Sequence, residues 1–350
     1  MKSTPLQQRL GFVARLLICL LLLFWIFRRI DMQDLASVLG RTTSHWPWWI
    51  VGLGMTFLGL LAGVVRWKLI LDAQGLRLSF LRVFQVFFVG QFFNAFMLGA
   101  CGGDVARAYY ASLDAPGRRA EAASTVFVDR AIGLFAMIVF CCVMIALRIP
   151  LFLDHRGTRG PGILMFFFLI GSVVAIFALF RRNLFEHWPF FQRLEQSHRL
   201  GALIRRTYDA FYLYRHRHGV LFLSVFFSVL NMSFLTLACY SFGESLDIQA
   251  SLIDYFTLFP IISVVAAIPV TPGSLGVREG LFATMFGAID VPAHFAVPLS
   301  LMGYIGSVAW SLFGGLMFVG HSAHAGHALR EELHAVQQEP TPFGSQGPTA

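Results

Sequence analysis

The sequence has little charge and no long polar segment. Only 13% of its 350 residues are charged, whereas 57% are apolar, and ordinary soluble domains carry about a quarter charged residues. Apolar runs long enough to cross a hydrocarbon core of about 30 Å recur along almost the whole chain. Because no segment of soluble-domain size lies between them, we expect no separate catalytic domain. The composition predicts an all-α polytopic membrane protein.

Sequence motifs for common enzymatic and energy-coupled chemistry are also missing. No Walker loop, dinucleotide fingerprint, HExxH or GxSxG is present, which argues against ATP-driven transport and against common hydrolases. The five cysteines lie in or beside apolar runs without CxxC spacing, so we interpret them as free thiols rather than disulfides or metal ligands. Four histidines after the last apolar run favour a solvated helix face over a metal site. We therefore expect no enzymatic activity, cofactor or metal.

The charge that is present is mostly positive. The chain has 27 Lys and Arg against 19 Asp and Glu, for a net charge of +8. The cations cluster beside apolar runs, where they set topology and meet lipid headgroups, so we do not expect a nucleic-acid partner. Most of them lie at 66–82, 107–119, 181–217 and the two ends, which share one side in our topology. This bias predicts a plasma (inner) membrane protein with cytoplasmic N- and C-termini.

Two kinds of apolar segment can be distinguished. Six are apolar on all faces and flanked by charge, Trp, Gly or Pro, which predicts about six full transmembrane helices. Two others are interrupted by small residues and charge, which predicts broken or re-entrant helical elements. The full spans are at about 10–27, 47–70, 122–147, 162–180, 219–242 and 296–319, and the interrupted regions are at about 83–112 and 252–289.

Broken backbone at membrane depth is tolerated only where protein or a water-filled cavity satisfies its polar groups. One interruption in each half of the chain is typical of transporters built from inverted repeats, with the substrate site where the broken elements meet. We hold an inverted repeat as a hypothesis. We assign residues 1–325 to a single transmembrane domain, with cytoplasmic interfacial helices at 181–218, and residues 326–350 to a polar, partly disordered tail.

The first interruption contains the stretch "GGDVARAYY". Gly102 and Gly103 permit a tight turn and leave N–H groups open at the start of a new helix. Asp104 would lie near the positive end of that helix, with Arg107 three residues on, and such a corner suits phosphate oxygens. Alternatively, Asp104 only caps the helix and Arg107 only extends to the cytoplasmic surface. We favour the cap for Asp104 and leave both interpretations open for Arg107.

The second interruption contains "IPVTPGSLGVREG". Pro272 and Gly273 break the incoming helix, Gly276 adds backbone freedom, and Arg278 and Glu279 follow at a depth where ionisable groups are usually functional. Because neighbouring residues on a helix point about 100° apart, we predict that these two side chains do not pair with each other. The predicted partners are Asp104, Arg107, Asp129 and Arg130. Alternatively, these groups form a closed ion network that only joins the two halves.

Three motifs together resemble a known family. "GQFFNAFMLGACGGDVARAYY", "STVFVDRAIGL" and "IPVTPGSLGVREG" are similar to the transmembrane domain of lysylphosphatidylglycerol synthase, a flippase-like membrane family with stand-alone members. The similarity covers about residues 10–320, and "MLGA" departs from the Leu-Pro-Gly that the family often has there. The resemblance implies lipid movement between leaflets. We expect no synthesis of lysyl lipid, because the family's separate aminoacyl-transferase domain is not seen in this sequence.

We therefore expect a lipid translocator, a flippase or scramblase, for an anionic phospholipid or a polyprenyl-phosphate-linked lipid. Two other hypotheses stay open: an integral-membrane transferase acting on a lipid-linked substrate, and a non-transporting partner of a lipid-modifying synthase. A homo-oligomer is also consistent with the sequence. The expected headgroup-binding residues are Arg107, Arg130, Arg278, Gly102, Gly103, Gly273 and Gly276, with Asp104, Asp129 and Glu279 as charge partners or proton carriers.

Overall fold

The computed structural model describes residues 45–96, 102–115, 117–180, 217–268 and 276–338, with backbone alone from residue 320 onward. Within these ranges the regular structure is α-helical and no strand is present. The helices are α1 (Trp46–Ala73), α2 (Phe80–Phe96), α3 (Gly102–Leu113), α4 (Arg119–Leu147), α5 (Ile149–Asp154), α6 (Arg156–Phe180), α7 (His218–Ser245), α8 (Leu252–Ala266), α9 (Val277–Gly287) and α10 (Ala293–Gln338).

Five of the predicted membrane spans are confirmed. Helices α1, α4, α6, α7 and the first part of α10, Ala293–Val319, are each long and apolar enough to cross a membrane. The predicted span at 10–27, nearly all of the predicted interfacial region at 181–218 and the end of the tail at 339–350 lie outside the described residues. The backbone of α10 continues as a helix to Gln338, so the first half of the predicted polar tail is helical. The protein is an integral membrane protein of the all-α polytopic class.

The first interrupted region is a re-entrant helical hairpin made of α2 and α3. At its base, Arg82 at the start of α2 donates to Asp114 just beyond the end of α3, with distances of 2.7 Å from Nε to Oδ2 and 2.9 Å from Nη2 to Oδ1. Near its tip, the Gly103 N–H donates to Asn94 Oδ1 at 2.9 Å. Since both ends of the element meet, the chain enters and leaves on the same side.

The second interrupted region, α8 and α9, has the same antiparallel arrangement. Tyr255 near the start of α8 packs edge-on against Phe286 near the end of α9, with ring centroids 5.3 Å apart. One turn further toward the tip, Phe259 packs against Phe282 at 6.3 Å. The tip itself, including Pro272 and Gly273, lies outside the described residues. The described chain resumes at Gly276, whose φ of +85° suits glycine because it has no β-carbon.

The two halves of the chain repeat both their elements and their packing. Each half has a long span, two short helices and a second long span: 28, 17, 12 and 29 residues in α1 to α4, then 28, 15 and 11 residues in α7 to α9, followed by the 27-residue span of α10. Helices α1 and α7 pack against each other, α2 packs against α10, and α8 packs reciprocally against α4. The described helices therefore have the order of elements that an internal repeat requires, and the inversion of one half relative to the other stays a prediction.

The first hairpin depends on the absence of a side chain at Gly103. A β-carbon there would overlap the carbonyl oxygen of Gly90 and the amide of Asn94. Small residues at such contacts allow two helix backbones to approach closely in a membrane, where packing rather than hydrophobic burial holds helices together. Gly103 is therefore important for the close contact between α2 and α3.

We predict that Gly103→Ala destabilises the protein by about 1–3 kcal/mol, because an overpacked contact forces the two backbones apart. The matched control is Gly171→Ala in α6, where an added β-carbon meets open space and alanine favours the helix. Thermal unfolding of the purified variants in the same detergent measures both effects. Equal melting temperatures for the two variants would contradict the assigned contact.

Candidate functional site

Five ionisable side chains converge where α1, α3 and α4 meet. We call this group the charge cluster; its members are Arg66, Asp104, Arg107, Asp129 and Arg130. Counting only these five described side chains, all ionised, three guanidinium groups face two carboxylates, for a net charge of +1. Charged side chains inside membrane domains are costly, rare and usually functional.

Asp129 is the centre of the cluster. Its side chain is 1% exposed, and its carboxylate accepts from Arg66 through two bonds, 2.7 Å from Nε to Oδ1 and 3.2 Å from Nη2 to Oδ2. The same carboxylate accepts from Arg107 Nη2 at 3.0 Å. Because fork-shaped Arg–carboxylate pairs are strong and directional, Asp129 fixes the positions of both guanidinium groups.

Arg107 contacts two aromatic rings. Its guanidinium carbon lies 4.3 Å from the centroid of Trp67 and 4.7 Å from that of Phe87, which is cation–π geometry. The side chain is only 8% exposed, and its Nε has no hydrogen-bond partner in the part of the chain that the structure describes. The alternative in which Arg107 only extends to the cytoplasmic surface is therefore wrong.

Asp104 does not cap α3. Its carboxylate faces two cations at longer distances, 3.7 Å from Oδ1 to Arg107 Nη1 and 3.4 Å from Oδ2 to Arg130 Nε. Asp104 Oδ1 is buried and, among the described residues, has no hydrogen bond. The side-chain bond at the helix start comes instead from Asn94, which accepts from the Gly103 N–H. The reason is that Asp104 lies inside the first turn, with two guanidinium groups to attract its carboxylate.

Arg66 and Asn94 are the members of this site that sequence reasoning missed. We had placed Arg66 among the cations of a cytoplasmic connection, but it lies inside the apolar helix α1. Its burial beside Asp129 shows that it contributes to the charge cluster. The available signal was its position within a membrane span, where an ionisable residue indicates a functional site. No local pattern marked Asn94, because its partner lies in the next helix.

Arg66 also connects the cluster to the second half of the protein. Its Nη1 donates to Ser228 Oγ on α7 at 2.9 Å. Gly133 on α4 leaves room for this guanidinium, since a β-carbon there would lie 2.7 Å from Arg66 Nη1. The cluster therefore spans the contact between the two repeats, with α4 and α7 on either side of Arg66.

A second, smaller charged group lies at the start of α9. Arg278 Nη2 is 3.3 Å from Glu279 Oε1, so the prediction that these neighbours do not pair is wrong. Ser300 on α10 explains the pairing: its Oγ accepts from Arg278 Nε at 3.0 Å and donates to Glu279 Oε1 at 3.2 Å. Glu279 also accepts from the Gly276 N–H at the start of the helix. The Arg278 and Glu279 side chains are long enough to meet although neighbouring positions on a helix point about 100° apart.

Among the described residues, the second charged group makes no ion pair or hydrogen bond with the charge cluster. The ion pairs and hydrogen bonds of the Arg278 and Glu279 side chains stay within residues 276–300, and the Arg278 guanidinium lies 4.9 Å from the ring of Tyr304. The predicted partnership of this pair with the charge cluster is therefore wrong. Gly102 and Gly103 do begin α3 as expected, while Gly273 lies outside the described residues.

Within the described ranges, no three His, Cys, Asp or Glu side chains lie close enough together to hold a metal ion. The three described cysteines, Cys141, Cys142 and Cys239, are buried and unbridged. The charge cluster itself offers electrostatic chemistry: guanidinium groups are suited to bind an anion, and carboxylates are suited to compete with it.

The fold and the charge cluster define a polytopic membrane protein with two re-entrant hairpins and a buried cationic site. A family model described as the lysylphosphatidylglycerol synthase TM region matches residues 12–313. The chain belongs to this family, which confirms the resemblance seen in its motifs.

Two relatives are similar over most of their length. A UPF0104 membrane protein of Pyrococcus horikoshii is 23% identical over 288 residues, covering 77% of this chain and 85% of the relative. A UPF0104 membrane protein of Methanothermobacter thermautotrophicus is 25% identical over 283 residues, covering 73% and 78%. The similarity therefore extends over about three quarters of this chain rather than over one motif.

We predict that Asp129→Asn destabilises the protein by about 3–5 kcal/mol, because it leaves two buried guanidinium groups without their main counter-charge. The control is Asp114→Asn, which breaks the pair with Arg82 at a site where the carboxylate is 20% exposed and costs about 1 kcal/mol or less. Thermal unfolding in detergent compares the two. If Asp114→Asn lowers the stability as much as Asp129→Asn does, burial of the cluster does not determine its contribution to the stability of the protein.

Proposed function

We propose that the protein moves a lipid with an anionic headgroup between the two leaflets of the membrane, and that the headgroup binds at the charge cluster. The observation that carries this proposal is the cluster's composition: three guanidinium groups and two carboxylates inside a membrane domain, with Arg107 Nε and Asp104 Oδ1 each lacking a hydrogen bond among the described residues. A purely structural network is expected to be balanced and fully hydrogen-bonded.

The excess positive charge favours an anion. A headgroup phosphate brings acceptor oxygens that suit guanidinium donors, and a single negative charge neutralises the cluster. Membrane phospholipids and polyprenyl phosphates both provide such a group. The family supports a lipid-related role, since the matching region is that of a lipid-modifying synthase.

The cluster offers a graded route for the headgroup. Arg130 is 41% exposed, Asp104 is 15% exposed and Arg107 is 8% exposed, so an incoming anion meets Arg130 before it reaches the buried guanidinium. The ion pairs of Asp104, at 3.4 and 3.7 Å, are looser than those of Asp129. We infer that a phosphate displaces Asp104 while Asp129 keeps Arg66 and Arg107 in place. A ligand that replaces one set of contacts with another shifts a conformational equilibrium.

Asp104 is also the favoured proton carrier, should transport be coupled to protons. Its Oδ1 makes no hydrogen bond within the described residues, whereas the carboxylate of Glu279 is held by Arg278, Ser300 and Gly276. Without an ATP-binding motif, transport is passive or driven by protons or membrane potential. We place the protein in the inner membrane with both termini in the cytoplasm, following the positive-inside bias.

Translocation of fluorescent phospholipids in proteoliposomes tests the proposal. We expect the wild type to move an anionic phospholipid and Arg107→Gln to reduce the rate by about tenfold or more, the effect of losing about 1.4 kcal/mol of binding. Arg82→Gln is the matched control, because it removes a hairpin ion pair outside the cluster, and we expect near wild-type transport. Arg278→Gln shows whether the second charged group contributes.

Two outcomes would contradict this function. The first is no lipid movement by folded wild-type protein in vesicles with or without a proton gradient or membrane potential. The second is activity only after a sugar or aminoacyl donor is added, which indicates a transferase. A dependence on an added synthase would instead indicate a non-transporting partner.

A further inference from the structure

An apolar groove runs along the outside of the contact between α4 and α7. Its volume is about 200 Å³, and its lining is entirely hydrocarbon or aromatic: Phe135, Ala136, Val139, Phe140, Val143, Val225 and Val229. Val143 is 52% exposed, so the groove is open to the surroundings of the helices. Because α4 and α7 are both membrane spans, those surroundings are lipid hydrocarbon.

One end of the groove adjoins the charge cluster. On α4 the lining begins at Phe135, one to two turns beyond Asp129 and Arg130. On α7, Ser228 lies between the lining residues Val225 and Val229 and accepts a bond from Arg66 at 2.9 Å. A polar, cationic end and an apolar continuation on the same pair of helices match the two parts of one amphiphile.

We propose that this groove binds one hydrocarbon chain of the lipid whose headgroup lies at the charge cluster. The inference rests on the proposed function and extends it from a headgroup site to a site for the head and one tail. The net positive charge at one end fixes which way the lipid lies: headgroup toward Arg130 and Arg66, chain toward Val143.

The size of the groove fits one chain. From Phe135 to Val143 the helix rises about 12 Å at 1.5 Å per residue, which is close to half of a hydrocarbon core of about 30 Å. An apolar cavity of about 150 Å³ holds a molecule as bulky as benzene, so a groove of 200 Å³ holds a segment of an alkyl chain. It is too apolar for a phosphate or a sugar.

The direction of the groove also indicates the leaflet of origin. Arg118 donates to the carbonyl oxygens of Gln74 and Gly75, so the start of α4 lies beside the end of α1 and the base of the first hairpin. The groove leads away from that end, from Phe135 toward Val143. A lipid bound with its head at the cluster therefore has the orientation of lipids in the leaflet nearest the hairpin base.

Photo-crosslinking tests the inference with the full-length protein in phosphatidylcholine vesicles. The probes are phosphatidylglycerols with a diazirine either near the headgroup or at the far end of one acyl chain. We expect the first probe to label α4 near Phe135 and the second to label it near Val143, as located by mass spectrometry of peptides. Labelling that does not move with the diazirine, or moves in the opposite direction, overturns the proposal.

Filling the groove provides the second measurement. Val139→Trp places an indole in the lining, and we expect about tenfold less labelling of α4, as for a loss of 1.4 kcal/mol. Val174→Trp is the control of the same residue type on the 62%-exposed surface of α6, and it should not change α4 labelling. Equal labelling of α4 in both variants, or labelling of α6 as strong as that of α4, contradicts a specific groove.

A third measurement, which changes the headgroup site or the headgroup, separates lipid recognition from general membrane contact. Arg130→Gln should reduce labelling by the phosphatidylglycerol probe more than labelling by a matched phosphatidylcholine probe, while excess inorganic phosphate should compete only weakly. Equal reduction of both probes overturns the link between groove and cluster. Labelling is measured without transport, so groove labelling in a protein that moves no lipid refutes the proposed function alone, and transport without groove labelling refutes this inference alone.

Discussion

The carboxylate of Asp129, shared by Arg66 and Arg107, is the interaction on which the first half of the structure depends. It lies in a region where an unpaired charge costs several kcal/mol, and it joins helices α1, α3 and α4 at one point. The re-entrant hairpin could not hold Arg107 at this depth without it. Trp67, Phe87 and the glycine contact at Gly103 then fix the hairpin around a cation that Asp129 already holds.

The repeat supplies one scaffold for two different sites. Each half has a hairpin whose second helix begins with glycine near an ionisable residue, yet the first site carries excess positive charge and the second is a neutral Arg278–Glu279 pair held by Ser300. Glu279 also accepts from the Gly276 N–H at the start of its helix. Shared architecture therefore does not imply shared chemistry, and our proposal assigns the ligand to the first site.

Spans and interruptions could be predicted from the sequence because they depend on local properties: apolar length, Gly and Pro breaks, and flanking charge. Which side chains pair with each other could not be predicted from the sequence. Arg66 and Asp129 are 63 residues apart, and nothing in either segment specifies the other. Arg278 and Glu279 pair because Ser300, from a later helix, holds their ends together, which a rule about angles between neighbours cannot anticipate. Asn94 was missed for the same reason, since its role is defined by the backbone of Gly103.

The aromatic rings that contact Arg107 have an electrical consequence for the proposed transport. We expect a guanidinium held by Trp67, Phe87 and Asp129 to stay in place when a headgroup leaves. Arg107 then adds no moving charge, and in transport without proton coupling through Asp104 the work done against the transmembrane voltage is mainly that of the lipid. For one elementary charge crossing the whole field, this work is about 2.3 kcal/mol per 100 mV. The sign of the membrane voltage alone would therefore bias which leaflet accumulates an anionic lipid.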